Sequence, residues 1–239
     1  MAPKNFIILL SLFCGLQHLS AQDVFFRTVS VEDGLSNNYV RKIYKDKRGF
    51  IWLGTLNGLD RFDGLSFKSY ISSFEQTGTV YDLLEITQDG LFVATDNGLW
   101  FLNYDDEQLY PIELPTICRV QCLAKGEDGL LLAGTNQGLF VVSGQKVRSH
   151  ILPDERVQSA TNDISGIFSN EDKTCWLATG DGLFFCNYLE NSSQIIRYQH
   201  SSDNFFRGIV KIGPVLFMGT SSKWNGKTCR NTRWIYLHQ

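Results

Sequence analysis

Proline and methionine are scarce in this sequence, with 5 and 2 among 239 residues, and neither sign of charge predominates. Lys plus Arg total 22 against 25 Asp plus Glu, a net charge of -3, which excludes a surface built mainly to hold nucleic-acid phosphates. Beyond the N-terminus there is no run of about 18 apolar residues, so no helix crossing a bilayer is expected there. Histidine is sparse too. His150, His200 and His238 stand beside neither a Gly-flanked Ser nor a carboxylate pair at recognisable spacing. A phosphate-cradling G-x-x-x-x-G-K-S/T loop is missing as well. No catalytic residue is assigned, and the chain is not expected to be an enzyme.

What is present is enough to build a core: 43% hydrophobic residues, 13% aromatic, and 21 glycines. Many glycines among Phe, Tyr and Trp suggest tight turns between aromatic-rich strands, so the expected class is all-β. The first 21 residues stand apart. Lys4, the apolar run Phe6 to Leu16 and the small-residue ending Leu19-Ser20-Ala21 read as a signal peptide cut before Gln22, which predicts a periplasmic or otherwise exported protein. Cys118, Cys122, Cys175, Cys186 and Cys229 remain after Cys14 is removed. The spacing of Cys118 and Cys122 does not suit zinc, so buried apolar thiols are expected, with no metal and no cofactor.

The strongest signal is an internal repeat. The phrases Gly54-Thr55-Leu56-Asn57-Gly58-Leu59, Ala94-Thr95-Asp96-Asn97-Gly98-Leu99, Gly134-Thr135-Asn136-Gln137-Gly138-Leu139 and Ala178-Thr179-Gly180-Asp181-Gly182-Leu183 recur, and Gly219-Thr220 begins a fifth. Their threonines are 40, 40, 44 and 41 residues apart. Val40, Val80, Val120 and Ile164 precede the first four threonines at one fixed distance, and Ile43, Leu83, Leu123 and Ile167 at another. Phe206 and Ile209 are the fifth pair, each one residue nearer its threonine. Turns such as Asp46 to Gly49 and Gln88-Asp89-Gly90 fall between these marks and short apolar runs. Each copy therefore spells strand, turn, strand, turn, strand, with room for an outer strand such as Ser66 to Tyr70. Four short strands in about 40 residues make one β-propeller blade.

The anchor phrase has a physical logic. Gly54, Ala94, Gly134, Ala178 and Gly219 let neighbouring backbone approach a strand end, and Thr55, Thr95, Thr135, Thr179 and Thr220 offer a hydroxyl to cap the next turn. Gly58, Gly98, Gly138 and Gly182 can supply positive φ. The recurring Asp-Gly pairs fit turn chemistry better than calcium. Trp52 and Trp176, just before the anchors, fit a core. The turn residues Asn57, Asp96, Asn97, Asn136, Gln137 and Asp181 could bind sugar hydroxyls, yet turns prefer these residue types anyway, so no ligand contact is assigned.

The stretch Asp33 to Val40, then Asp46 to Gly49, Ile51-Trp52-Leu53-Gly54-Thr55, Asn57-Gly58-Leu59 and Arg61-Phe62-Asp63-Gly64 resembles the two-component regulator propeller repeat. The resemblance extends in weaker copies over residues 24 to 220. It implies the N-terminal periplasmic sensor region of hybrid two-component system sensor histidine kinases of the Bacteroides type, whose members detect oligosaccharides. Residues 22–220 are accordingly expected to hold about five four-stranded blades, an incomplete part of a larger propeller. An alternative is a small closed ring, or closure by a strand from Val24 to Val31. Residues 221–239 form an atypical tail that suggests truncation or a frame shift. The expected function is ligand sensing, with oligosaccharide as candidate ligand and a homodimer or another propeller chain as candidate partner. A propeller-fold carbohydrate-active enzyme and a protein-interaction scaffold are the alternatives.

Overall fold

A computed structural model describes residues 27–70, 78–154, 160–189, 196–198, 206–212, 215–224 and 227–238. The signal-peptide reading falls on residues outside this set.

Five antiparallel sheets follow one another along the chain. Blade 1 contains β1 (Val40–Lys45), β2 (Ile51–Thr55), β3 (Gly58–Phe62) and β4 (Phe67–Ser69). Blade 2 contains β5 (Val80–Leu84), β6 (Gly90–Thr95), β7 (Gly98–Asn103) and β8 (Leu109–Ile112). Blade 3 contains β9 (Val120–Lys125), β10 (Leu131–Thr135), β11 (Gly138–Ser143) and β12 (Lys146–Ile151). Blade 4 contains β13 (Ile164–Ser169), β14 (Thr174–Thr179), β15 (Gly182–Asn187) and β16 (Ile196–Tyr198). Blade 5 contains β17 (Phe206–Ile212), β18 (Val215–Trp224) and β19 (Lys227–His238). Each sheet is a meander in sequence order, and among the described residues the only helices are short 3-10 turns. The protein is an all-β propeller, and its described residues form four four-stranded blades and a three-stranded fifth. Residues from Ser221 onward, set apart in the sequence as a tail, continue β18 and enter β19, with Ser221 opposite Thr232.

The spacing of the repeat becomes register. Val40 faces Thr55, Val80 faces Thr95, Val120 faces Thr135 and Ile164 faces Thr179, and a shift in pairing follows each of these positions. Phe206 faces Thr220 with the same shift, so the fifth copy keeps the pairing despite its shorter spacing. The bulge turns the first strand of each blade at one place and increases its local twist.

First strands pack side by side in the order β1, β5, β9, β13, β17. Strand alternation then sends neighbouring residues to opposite blade faces, and cores form between successive sheets. Trp52, Leu59 and Tyr70 of blade 1 meet Leu83, Leu91 and Val93 of blade 2. Phe92, Leu99 and Phe101 meet Leu131, Ala133 and Phe140 in the next junction. Leu132, Leu139 and Val141 meet Cys175, Leu177 and Phe184 in the third. Trp176, Ala178 and Leu183 begin the fourth, against which Ile209 packs.

Small residues before the anchors permit this spacing. A Cβ on Gly54 would come within 2.7 Å of the Val80 side chain in the next blade. One on Gly134 would lie 2.5 Å from the Cys122 sulfur and 2.8 Å from Ile164.

Polar contacts also join the blades. Lys42 lies 2.5 Å from Asp82, whose other carboxylate oxygen accepts from Leu123 N–H at 2.8 Å, linking blades 1, 2 and 3. Asp46, buried, accepts from the Trp52 indole at 2.9 Å and from Arg48. The Arg48 guanidinium stacks 3.4 Å from the Tyr104 ring centre, and Arg61 stacks 4.5 Å from Phe50. The Arg48–Tyr104 contact holds blade 1 against blade 2, while the Arg61–Phe50 contact lies within blade 1.

Candidate functional site

The anchor phrases are structural. Thr55, Thr95, Thr135 and Thr179 each donate their hydroxyl to the carbonyl of Gly58, Gly98, Gly138 and Gly182, at 3.1, 2.8, 2.8 and 2.9 Å. Each also accepts from the N–H two residues on, from Asn57, Asn97, Gln137 and Asp181. Each hydroxyl thus donates once and accepts once within its own turn. The four glycines have φ of +118°, +113°, +103° and +138°, where a side chain would be strained. Ala94 and Ala178 lie in the cores, while Gly219 and Thr220 lie in β18.

The polar turn residues are largely committed as well. Asp96 accepts from Thr79 N–H, Asn136 accepts from Arg119 N–H at 2.9 Å, and Gln137 accepts from the Thr116 hydroxyl while donating to the Ile117 carbonyl. Asp181 accepts from the Thr161 hydroxyl at 3.4 Å. These bonds tie each turn to the segment entering the same blade. His150 stacks on Phe140 with ring centres 4.1 Å apart, and its Nε2 lies 2.6 Å from the Gln137 carbonyl. Trp52 and Trp176 are buried, as are Cys118, Cys122, Cys175 and Cys186. Burial raises the Cys118 thiol to about 11 and places the Cys122 thiol well above its ordinary value, so both are neutral and unreactive near pH 7.

One group escaped the sequence reading. Asp60 on β3 is buried and occupies the position that Trp100, Phe140 and Phe184 fill in blades 2 to 4. Ser36 answers it, donating from its N–H at 3.0 Å and its hydroxyl at 2.5 Å to one carboxylate oxygen. The Ser36 hydroxyl also lies 2.9 Å from that of Thr55. The other Asp60 oxygen is buried without a hydrogen-bond partner. A carboxylate at an otherwise apolar repeat position was the signal available.

A cleft of about 560 Å³ opens where blades 4 and 5 meet. Phe168 of β13, Trp176 of β14 and Phe185 of β15 form a row through the sheet register, with Phe168 opposite Trp176 and Trp176 opposite Phe185. Phe168 and Phe185 line the cleft, with Ser169, Asn170, Glu171, Asp172 and Lys211. The turn at its rim is held by Asn170, which donates from its backbone to the Thr174 carbonyl and from its side chain to the Thr174 hydroxyl, both at 2.9 Å. The Lys211 ammonium stands 5.8 Å from the Phe168 ring centre. Aromatic walls with a rim of amide, carboxylate and ammonium groups can hold a ring that is apolar on its face and polar at its edge. A second cleft of about 140 Å³, lined by Asn97, Trp100, Pro111, Thr116 and Ile117 among others, opens on blade 2. Among the described residues no three His, Cys, Asp or Glu side chains converge in a way that could hold a metal ion.

Comparison with known proteins follows the same line. Residues 34–57 match the family described as Two component regulator propeller. A 55-residue stretch, 23% of this chain, is 40% identical to Histidine kinase P4 of Formosa agariphila and covers 4% of that protein. A catalytically inactive virginiamycin B lyase from Staphylococcus aureus shares the fold with TM-score 0.62 at 15% identity, over 85% of this chain and 72% of that one. The extracellular domain of a hybrid two component system from B. thetaiotaomicron aligns with TM-score 0.49 at 22% identity, over 83% of this chain and 35% of that one. This chain thus spans about a third of that domain and a small fraction of the kinase. The repeat at residues 34–57 is a two component regulator propeller repeat.

Proposed function

We propose that this chain is a ligand-sensing propeller of a two-component signalling system, that it is exported, and that it binds an oligosaccharide in the cleft between blades 4 and 5. The match of residues 34–57 to the two component regulator propeller carries the reading. The likeness of a 55-residue stretch to a protein named as a histidine kinase supports the signalling context. Lys4 with the apolar run Phe6 to Leu16 supports export. For the ligand, the support is chemical: Phe168 and Phe185 offer faces for a pyranose ring, and Asn170, Glu171 and Lys211 offer partners for its hydroxyls.

A panel of oligosaccharides followed by thermal unfolding tests this. A ligand at about a hundred times its Kd should stabilise the protein by about 2.7 kcal/mol, a rise of several degrees. Phe168→Ala should remove the rise for the same sugar. No shift across the panel would overturn the ligand class, and release of cleaved products would favour an enzyme.

A further inference from the structure

We infer that Cys175 and Cys186 form a site of covalent modification, a disulfide across β14 and β15. The two residues are direct partners in the antiparallel register, flanked by the pairs Trp176 with Phe185 and Thr174 with Asn187. Their sulfurs lie 3.5 Å apart, and both residues are fully buried in the core between blades 3 and 4. Direct partners on antiparallel strands have Cα atoms about 4.5 or 5.5 Å apart, and both values fall within the roughly 4.4–6.8 Å that disulfides span. Closing the bond therefore needs only a movement of the sulfurs by about 1.5 Å, within the reach of side-chain rotation. The other described cysteines are placed differently. Cys122 directs its thiol at the Ile164 carbonyl at 3.6 Å, and Cys118 lies in the core between blades 2 and 3. The inference rests on this geometry and is independent of the sensing role.

The chemistry balances with a small disulfide, such as oxidised glutathione, as oxidant. One protein thiolate attacks the glutathione disulfide and releases one glutathione thiol. The second protein thiolate displaces the other glutathione, so two protons and two electrons leave the protein thiols and one disulfide is reduced to two thiols. Timing follows from burial. In the finished fold the Cys175 thiol is held neutral by its bond with Cys186 and by burial, and reagents do not reach it. The bond forms while the β14–β15 hairpin is exposed, before blade 3 covers it.

The full chain, reduced and unfolded in guanidinium, is refolded either with reduced and oxidised glutathione or with dithiothreitol. Free thiols are then blocked in denaturant without reductant, and peptides are mapped by mass spectrometry. Refolding with glutathione should give a peptide pair joined through Cys175 and Cys186, lighter by two hydrogens than the reduced pair. That sample should melt about 5 °C above the one refolded in dithiothreitol, and the double variant Cys175→Ala with Cys186→Ala should lose the difference. Recovery of both cysteines as blocked free thiols would overturn the inference, as would linkage of either to Cys118, Cys122 or Cys229. The mapping uses the unaltered chain and holds whether or not the variant folds.

Discussion

Ile43 and Leu83 occupy the same repeat position in adjacent blades, yet Leu83 is 1% exposed and Ile43 is 66% exposed. Leu83 lies on the face of blade 2 that meets blade 1, and its counterparts Leu123, Ile167 and Ile209 each pack toward the preceding blade. Ile43 points from blade 1 to where a preceding blade would lie. At the other end, Val210 of β17 holds the place of Tyr44, Leu84, Ala124 and Phe168, which pack toward the following blade. Val210 and Ile212 are exposed. Both end faces thus carry the apolar pattern that every internal junction buries.

Truncation separates the two environments. Leu83→Ala should destabilise the protein by about 2–4 kcal/mol, since it leaves a cavity in a closed junction. Ile43→Ala should cost less than about 1 kcal/mol. Urea unfolding of the two variants measures both, and equal costs would mean that Ile43 is covered in solution.

Close approach at the anchors can be tested with Gly134→Ala. Blades 2 and 4 carry Ala94 and Ala178 at this position, but in blade 3 the new methyl would meet the Cys122 sulfur and Ile164. Blade 4 has Gly166 where blade 3 has Cys122, which explains its tolerance of alanine. The single substitution should cost about 1–3 kcal/mol through overpacking. Adding Cys122→Ala should recover part of that loss, a coupling that a double-mutant cycle reads directly.

The link between blades 1 and 2 at Glu107 should show in acid. Glu107 contacts Arg61 at 2.5 Å and also Lys68, and these bonds hold its carboxyl below the usual carboxylate range. A depressed folded-state pKa gives stability that is present above the unfolded value, about 4.3, and lost as pH falls through the folded value. Lys68 is raised by the same contact, so the link persists until pH rises past its ordinary value. The stability difference between the native protein and Glu107→Gln should be constant from about pH 6 to 9 and vanish at strongly acid pH. Because the pair is partly exposed, the difference should stay below about 1 kcal/mol and shrink in salt. Denaturation series at several pH values test the sign.

Blade number and register were legible because spacing is a one-dimensional property: threonines about 40 residues apart fix where strands pair, and Val40 opposite Thr55 follows. The capping role of Thr55 was legible for the same reason, since its partners in the turn lie within three residues. The bonds of Asn136 and Asp96 reach back 17 residues to Arg119 and Thr79, through connections that carry no repeat. The cleft was hidden for a related reason. Phe168 and Lys211 come together only through the packing of two blades, and nothing within one copy signals it.

Asp60 offers the sharpest test of how blade 1 departs from its repeats. Its carboxylate is buried and takes both of its hydrogen bonds from Ser36, which precedes β1. Ser36→Ala removes the hydroxyl donor and leaves the N–H as the remaining partner, so it should cost about 1–3 kcal/mol, the desolvation of an under-satisfied buried acceptor. Asp60→Leu restores an apolar side chain like those of blades 2 to 4, but on its own strands the Ser36 N–H, while the Ser36 hydroxyl keeps its contact with Thr55. Made together with Ser36→Ala it removes the carboxylate and the hydroxyl at once, and should be less destabilising than the sum of the singles. Additive losses in the cycle would show that Ser36 and Asp60 act separately, and that the segment before β1 is held to blade 1 by other contacts.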